Sequence, residues 1–167
     1  MKIKSFMPVA LTLFLLFSQL ATAQKVDCIV EAAQCFQINP LLIKAIIWQE
    51  SRNRQQAANR NTNSTVDVGI MQINTAHLKA LKSLGINEAL LQENSCANVF
   101  SGAWVLKKNI KRYGYTWDAI GNYHSNTPVH HDRYVKKIIS LIAHQTEVID
   151  KIEVVRQEGI RKRFVCR

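Results

Sequence analysis

The feature that most constrains the fold of this chain is its set of four cysteines, because disulfide bridges between them would join distant segments. They are Cys28, Cys35, Cys96 and Cys166. If the chain is exported, as its first residues indicate, an even number of cysteines favours two disulfides, with three possible connectivities. Cys28 and Cys35 lie seven residues apart, on one face of any helix that contains both, so each is expected to pair with a distant partner. The alternative is a zinc site, but no C-x-x-C pair or nearby histidine pair gives zinc spacing. His130 and His131 resemble a metal pair only superficially, because adjacent residues do not share a face of a helix or strand, and we expect no metal.

The first 23 residues have the pattern of a secretory signal peptide. Lys2 and Lys4 give a positive start, residues 6–20 are almost entirely apolar, and residues 21–23 (Ala-Thr-Ala) are the small residues that signal peptidase requires. A membrane anchor is the alternative, but an apolar run of 15 residues is shorter than the ~20 that span a bilayer. We therefore predict cleavage before Gln24 and a periplasmic location.

Residues 24–167 are expected to form one domain, because 144 residues are a usual size for a single core and no repeat or Pro/Gly-rich linker interrupts them. Removing Lys2 and Lys4 from the 22 Lys and Arg leaves 20 against 12 Asp and Glu, a formal net charge of +8. Such a surface attracts polyanions: nucleic acid, anionic lipid or an anionic cell wall. Export, and a sequence without a basic–aromatic motif, argue against nucleic acid.

Hydrophobic spacing and capping residues predict a mainly helical domain with one short β excursion. Asp27 can cap a helix that runs to about Gln37, and Asn39-Pro40 then begins a second helix. Residues 53–65 are rich in Asn, Arg, Gln, Ser and Thr, which suits turns and a small β-hairpin. Helical spacing then returns and predicts helices at about 76–84, 88–93, 96–113, 117–123 and 131–155.

Glu50 is the first candidate for a catalytic residue. It follows Ile46 by four residues and Ile47 by three, so it projects from the apolar face of the second helix or from the edge of that face. A carboxyl group in such surroundings loses hydration when charged, which raises its pKa towards the range that a general acid needs. The alternative is a solvated glutamate that pairs with Arg52 or Arg54.

Asp67 is the second candidate, 17 residues after Glu50 and just before an apolar and amide segment, residues 69–74. Cleavage of a glycosidic bond requires a proton donor, and a second carboxylate can stabilise the oxocarbenium-like centre that forms. Gln72 and Asn74 supply amide groups that suit sugar hydroxyls and N-acetyl groups. The alternative is an aspartate that only stabilises the turn.

Three separated segments resemble the motifs of the soluble lytic transglycosylases. They are Glu50-Ser51, residues 69–74 (Gly-Ile-Met-Gln-Ile-Asn) and residues 119–125 (Ala-Ile-Gly-Asn-Tyr-His-Ser). The resemblance covers about residues 28–134 and is closest to the small specialised transglycosylases of secretion systems, conjugation machines and type IV pili. The stretch 50–74 is also similar to the c-type lysozymes, which match residues 59–62 (Asn-Arg-Asn-Thr) and the spacing from Glu50 to Asp67.

The resemblance implies a mainly α, lysozyme-like (α+β) fold, in which a small β-hairpin flanks the active-site cleft of a helical domain. It implies that Glu50 protonates the oxygen that links N-acetylmuramic acid to N-acetylglucosamine, then takes the proton of the muramic 6-hydroxyl and so closes a 1,6-anhydro ring. Met71 (through its backbone), Gln72 and Tyr123 would hold the sugar and orient Glu50. Ser51, Asn74 and His124 are further candidate substrate-binding residues.

Two departures from the family pattern leave alternatives open. The family often has Tyr-Asn-Ala-Gly where this chain has Tyr-His-Ser-Asn at residues 123–126, and most members lack a second catalytic carboxylate. Asp67 therefore keeps open a lysozyme-type hydrolase that cuts the same bond. A non-catalytic wall-binding subunit of a secretion or pilus machine is a further alternative, against which the Glu50, Asp67 and Gln72 set argues.

The resemblance also implies the partners and the disulfide pairing. Small members of the family often have cysteines that match Cys28 and Cys96, so Cys28–Cys96 is the expected bridge and Cys35–Cys166 the remainder. Peptidoglycan glycan strands are the expected substrate, and components of a secretion, conjugation or pilus apparatus are possible partners. We expect a monomer that needs no cofactor.

Overall fold

The computed structural model describes residues 27–166 and shows a mainly α fold with one small sheet, which confirms the predicted fold class. The eight helices of this part of the chain are α1 (Cys28–Phe36), α2 (Pro40–Ser51), α3 (Leu78–Lys82), α4 (Glu88–Glu93), α5 (Ser95–Tyr113), α6 (Trp117–His124), α7 (Pro128–His144) and α8 (Thr146–Asp150). The strands are β1 (Ala58–Arg60), β2 (Val66–Val68) and β3 (Ile73–Asn74). Two 3₁₀ turns cover Thr75–His77 and Arg161–Arg163.

Side-chain caps fix where most of the helices begin. The carboxylate of Asp27 accepts from the backbone N–H of Ile29, and the amide oxygen of Asn39 accepts from that of Leu41 at the start of α2. Asn94 caps α5 in the same way through the N–H of Ala97. These bonds satisfy backbone donors that have no partner inside the helix, so the predicted starts of the first two helices are confirmed.

The polar stretch between α2 and α3 forms an antiparallel sheet in the order β1-β2-β3. Asp67 lies at the centre of this sheet, opposite Asn59 on β1 and Asn74 on β3. The turn between β1 and β2 is closed by a backbone bond of 2.8 Å from the N–H of Asn61 to the carbonyl of Thr65. The predicted hairpin is therefore present, and a third short strand extends it.

The core is built around α5, which is buried over most of its first three turns and packs against α1, α4 and α6. Three aromatic rings meet on one side of it: Phe36, Phe100 and Phe164 have centroid separations of 5.4 to 6.2 Å. Helix α2 packs between α1, α7 and α8, so its C-terminal end is held at the junction of the helices and the sheet.

The predicted helix over residues 131–155 is wrong at both ends. Helix α7 begins earlier, at Pro128, and ends at His144, where Gln145 leaves the helical conformation with φ −133° and ψ 30°. The short α8 follows, and the chain is then extended. Cys28 donates a backbone hydrogen bond of 2.8 Å to the carbonyl of Val154, whose own N–H binds the Asp27 carboxylate. This long-range pairing with the start of α1 replaces the last helical turns.

Two disulfides close the fold, and they join the pairs that the resemblance implied. Cys28–Cys96 links α1 to α5, and Cys35–Cys166 links the end of α1 to the C-terminal segment. The basic tail forms the exposed turn Arg161–Arg163, from which Arg163 donates to the carbonyl of Gly85. Both ends of the described chain are thus attached to α1.

The predicted signal peptide, residues 1–23, lies outside the described residues. Within residues 27–166, none of the helices is both long enough and apolar enough to span a bilayer.

We expect that replacing both Cys35 and Cys166 by serine lowers the free energy of unfolding by about 2–5 kcal/mol, because this bridge closes a loop of 131 residues in the unfolded chain. Urea unfolding followed by circular dichroism measures the difference. An unchanged midpoint and slope would show that the bridge does not stabilise the fold.

Candidate active site

Glu50 lies in the last turn of α2, where its side chain is partly buried at the base of a cleft. One carboxyl oxygen, Oε1, is fully shielded and has no hydrogen-bond partner within residues 27–166. Burial raises the pKa of this carboxyl group from 4.5 to about 7, helped by the negative charge of Asp67 and opposed by Tyr134 and Lys137. Because an uncharged acid is favoured where hydration is lost, Glu50 can remain a proton donor up to about neutral pH.

Tyr134 is a site residue that the sequence analysis missed. It comes from α7, is only 3% exposed, and its hydroxyl faces Glu50 without the geometry of a hydrogen bond in this structure. Burial raises the pKa of the Tyr134 hydroxyl well above its ordinary value, so it is a neutral donor beside the carboxyl group. In the sequence, Tyr134 shares a face of α7 with Ile138 and Leu141, a spacing that indicates core packing only.

Asp67 lies across the cleft from the helical side, on β2. Both of its carboxylate oxygens accept from side-chain amides: Oδ2 from Asn61 at 2.9 Å and Oδ1 from Asn74 at 2.7 Å. Donors on both oxygens fix the plane of the carboxylate. Asp67 therefore has an anchored setting that contrasts with that of Glu50, whose shielded Oε1 has no hydrogen-bond partner among the described residues.

Asn74 and Gln72 line the cleft, but their amide groups are engaged within the protein. Asn74 also donates to the hydroxyl of Thr65 and accepts from the backbone of Ala76. Gln72 has the left-handed backbone conformation, with φ 50°, and donates to the carbonyls of Ala57 and Gly69 at 3.1 and 2.8 Å. Both side chains, predicted to bind sugar, thus maintain the wall of the cleft.

Asn98 of α5 is a second residue that the sequence analysis missed. It is fully buried, accepts from the N–H of Met71 at 2.8 Å, and donates to the carbonyls of Val68 and Leu91 at 2.8 and 3.0 Å. On the other side, the hydroxyl of Tyr123 donates to the carbonyl of Met71 at 2.8 Å. The backbone of Met71 is therefore held from both sides. In the sequence, the one sign of this role is that Asn98 is a polar residue among the apolar residues at the start of the predicted central helix.

Ser51 is not placed to contact a substrate, contrary to the prediction. Its side chain is 2% exposed, and its hydroxyl donates to the carbonyl of Ile70 at 2.8 Å while accepting from the N–H of Arg54 at 3.1 Å. The hydroxyl therefore makes its hydrogen bonds within the protein, behind the cleft wall. Ser51 joins the end of α2 to residues 69–72, so it positions its neighbour Glu50 instead.

The cleft has a volume of about 900 Å³ and runs between the sheet and the helical side. Amide, hydroxyl and imidazole groups dominate its lining, as suits a hydroxyl-rich ligand. Its residues are Glu50, Asn59, Asn61, Thr62, Asn63, Thr65, Asp67, Gln72, Ile73, Asn74, Ala76, His77, Val105, Tyr123, His124, Ser125, Thr127 and His130.

His124, predicted to bind substrate, lines this cleft at the end of α6. Its ring stacks flat on the ring of Tyr134, with centroids 4.7 Å apart and planes 4° apart. Burial, together with the nearby charges of His130 and Lys137, lowers the pKa of His124, which keeps it neutral near pH 7. A neutral imidazole offers one donor and one acceptor to a ligand.

His130 and His131 have different surroundings and do not form a metal pair. His130 lines the cleft, whereas the ring of His131 packs against Gly121 and lies 2.8 Å from the carboxylate of Asp132. This carboxylate raises the pKa of His131. Across residues 27–166, no cluster of three or more His, Cys, Asp or Glu side chains could hold a metal ion.

The family described as "Transglycosylase SLT domain" matches residues 27–137, the part of the chain that carries the cleft. The invasion protein IagB of Salmonella typhimurium (strain SL1344) is 41% identical over 116 residues, which cover 67% of this chain and 72% of the relative. Protein IpgF of Shigella flexneri is 35% identical over 114 residues, 68% of this chain and 75% of the relative. These matches confirm the resemblance that the three motifs indicated.

We expect Gly69→Ala to destabilise the fold by about 3 kcal/mol or more and to abolish cleavage, because of steric overlap as well as backbone strain. Gly69 has φ +77°, and a Cβ there would lie 2.0 Å from the Asn98 amide nitrogen and 2.8 Å from the carbonyl of Leu91. Chemical denaturation and zymography on a peptidoglycan gel measure the two effects.

Gly159→Ala is the matched control, because Gly159 has φ +81° but no atom within 4 Å of its added Cβ. It is expected to cost only the backbone penalty of about 1–2 kcal/mol and to keep activity. Equal losses in the two variants would contradict the role given to the contact between Gly69 and Asn98.

Proposed function

Because the chain belongs to the transglycosylase SLT domain family, and is a peptidoglycan lytic transglycosylase, we propose that Glu50 serves as both acid and base in its reaction. The proposed bond is the β-1,4 linkage from N-acetylmuramic acid to N-acetylglucosamine, and the proposed product carries a 1,6-anhydro-muramic end. The observation that carries this proposal is a carboxyl group with a pKa of about 7, partly buried at the base of a polar cleft.

In the first proposed step, the Glu50 carboxyl group donates its proton to the glycosidic oxygen as the bond from that oxygen to the muramic C1 breaks. The N-acetylglucosamine side leaves as an alcohol, and positive charge develops at C1. A raised pKa favours this step because the acid must be protonated at the working pH. The low polarity around Oε1 maintains that state before substrate binds.

In the second proposed step, the Glu50 carboxylate takes the proton of the muramic 6-hydroxyl as the 6-oxygen forms a bond to C1. The ring closes, Glu50 is again protonated, and no water is consumed. The hydroxyl of Tyr134, which faces Glu50 with no other partner in the described chain, is available to stabilise the transient carboxylate. A charge-assisted bond of this kind is strong in a site shielded from water.

The cleft wall supports these steps by its rigidity. Tyr123 and Asn98 hold the backbone of Met71 from opposite sides, and Ser51 holds the carbonyl of Ile70. Glu50 precedes Ser51 directly, so the same contacts set the direction of its side chain. Fixed geometry of this kind lowers the entropic part of a reaction barrier. We propose that His124 adds polar contacts to the sugar at the edge of the cleft, where Gln72 holds the wall.

A lysozyme-type hydrolase is a second candidate, and the anchoring of Asp67 is the observation that favours it. Both carboxylate oxygens of Asp67 are bound by amides, so the charge has a fixed position in the cleft. An ionised carboxylate there would stabilise positive charge at C1 or form a bond with it, after which water completes hydrolysis. A hydrolase and a transglycosylase use the same acid, Glu50, and differ in the group that attacks C1.

We also propose the cellular context. Residues 1–23 would direct export to the periplasm, where the mature enzyme would open the wall locally for a secretion, conjugation or pilus machine. Peptidoglycan lies outside the cytoplasmic membrane, so an enzyme that acts on it requires export. The motifs resemble small transglycosylases of such machines, and one relative is named for invasion.

The proposed function predicts a 1,6-anhydro product from the wild-type protein and no product from Glu50→Gln. Glutamine preserves the shape of the side chain but cannot donate and recover a proton, so we expect activity to fall by on the order of a thousandfold. Purified glycan strands digested by each protein and analysed by mass spectrometry provide the test, because an anhydro end is one water lighter than a reducing end.

The variant must first be shown to fold as the wild type does, by circular dichroism. If the products of the wild type carry only reducing ends, the enzyme is the hydrolase. Comparable digestion by the wild type and Glu50→Gln would refute the role of Glu50 in either reaction.

For Asp67→Asn we expect turnover to fall by about a hundredfold or more, because electrostatic help at the developing cation is lost. The same change removes a charge that raises the pKa of Glu50. Since the acid must be protonated, the alkaline limb of the pH profile should move to lower pH. Rates on purified peptidoglycan across pH 5–9 measure both effects.

Asp150→Asn makes the same chemical change at an exposed carboxylate outside the cleft, so it serves as the matched control. If Asp67→Asn folds and keeps both the turnover and the alkaline limb of the pH profile of the wild type, then Asp67 only stabilises the sheet.

A further inference from the structure

The outer face of α7 forms an open groove next to the catalytic cleft. Its residues recur every three or four positions and therefore lie on one stripe of the helix. The groove has a volume of about 510 Å³ and is lined by Val129, Asp132, Arg133, Lys136, Lys137 and Ser140. The opposite face of α7 is buried through Tyr134, Ile138 and Leu141, so this stripe is the solvent side of the helix.

This α7 groove carries an excess of positive charge. Arg133, Lys136 and Lys137 are exposed, and none of them forms an ion pair with another residue in the range 27–166. Its one acidic residue, Asp132, is already paired with the imidazole of His131 at 2.8 Å. Three cations on a shared face therefore remain free to bind an anion.

One end of the α7 groove adjoins the cleft. Val129 lines the groove, and the next residue, His130, lines the cleft. Lys137 lines the groove as well, and its charge is close enough to lower the pKa of both Glu50 and His124. A substrate that occupies the cleft therefore has the α7 groove beside it.

We propose that the α7 groove binds the short peptides attached to the muramic acid residues of peptidoglycan, through their free carboxylates. This inference rests on the proposed function, because it places a muramic residue next to Glu50. The sugar rings and their N-acetyl groups are uncharged, and where a peptide is attached the lactyl carboxyl group of muramic acid forms the amide to it, so the cations of the groove have no partner on the glycan itself. The carboxylates of the peptides are the nearest anions that the substrate brings with it, and Val129 offers an apolar contact for their methyl groups.

The test compares peptide-bearing glycan strands with strands from which an amidase has removed the peptides. Arg133→Gln combined with Lys136→Gln is the informative variant, because Lys137 acts on Glu50 and is left in place. We expect kcat/KM on peptide-bearing strands to fall by roughly threefold to tenfold, mainly through KM, since each exposed ion pair contributes modestly. Stripped strands keep only the lactyl carboxylate that the amidase exposes next to each muramic ring, and on them the variant and the wild type should differ by less than about twofold. The preference for peptide-bearing strands should also shrink as salt rises.

Arg161→Gln combined with Lys162→Gln is the matched control, because it removes one arginine and one lysine that line neither the cleft nor the groove. This control should keep the wild-type preference. Equal losses on both substrates, or none on either, would overturn the proposal, and binding of an acidic segment of a partner protein would then be the better explanation. A wild type that releases no anhydro ends from either substrate would refute the proposed function separately, since that result does not depend on the groove.

Discussion

The buried side chain of Asn98 is the interaction on which the catalytic cleft depends. Its single amide group accepts from Met71 and donates to Val68 and Leu91, so it joins the central helix to the end of the sheet. Loss of the amide would remove the hydrogen bond of the buried Met71 N–H, at about 1–3 kcal/mol, whereas the carbonyl of Leu91 would keep its bond of 3.1 Å from Gln55. The closeness of this contact also requires Gly69, since any Cβ there would overlap with the amide. Asn98 thus fixes the path of the segment to which Ser51, the neighbour of Glu50, donates a hydrogen bond.

The cleft gives its two carboxyl groups, Glu50 and Asp67, different surroundings. Glu50 loses hydration through burial, which raises its pKa to about 7, and its Oε1 has no hydrogen-bond partner among residues 27–166. Asp67 has an amide donor on each oxygen, from Asn61 and Asn74, and keeps a fixed orientation. Two carboxyl groups in unlike environments of this kind are typical of glycosidases. The polar side chains of the sheet therefore serve mainly to hold Asp67, which leaves the exposed edge of the cleft for sugar contacts.

Sequence reasoning failed where a residue's role depends on a contact with a distant segment. Ser51 stands beside the catalytic candidate in a family motif, yet its hydroxyl faces Ile70 inside the protein. Tyr134 has the spacing of a core residue and is buried, but the element it packs against carries Glu50, which makes it part of the site. The last long helix ends at His144, although its apolar spacing predicted a helix to residue 155. The reason is that the following segment pairs with the start of α1. Local periodicity carries no information about such pairings.

The sequence by itself determined the helical class, the polar hairpin, the family and the identity of the candidate acid. These follow from local patterns: capping residues, helical spacing, and the order and spacing of three motifs around Glu50. Only the tertiary structure decided which groups shield that acid, which amides hold Asp67, and that Asn98 and Tyr134 belong to the site. The physical reason is that burial and hydrogen-bond partners are set by residues tens of positions apart in the chain. The pKa of about 7 at Glu50 is therefore a property of the folded protein and not of the motif.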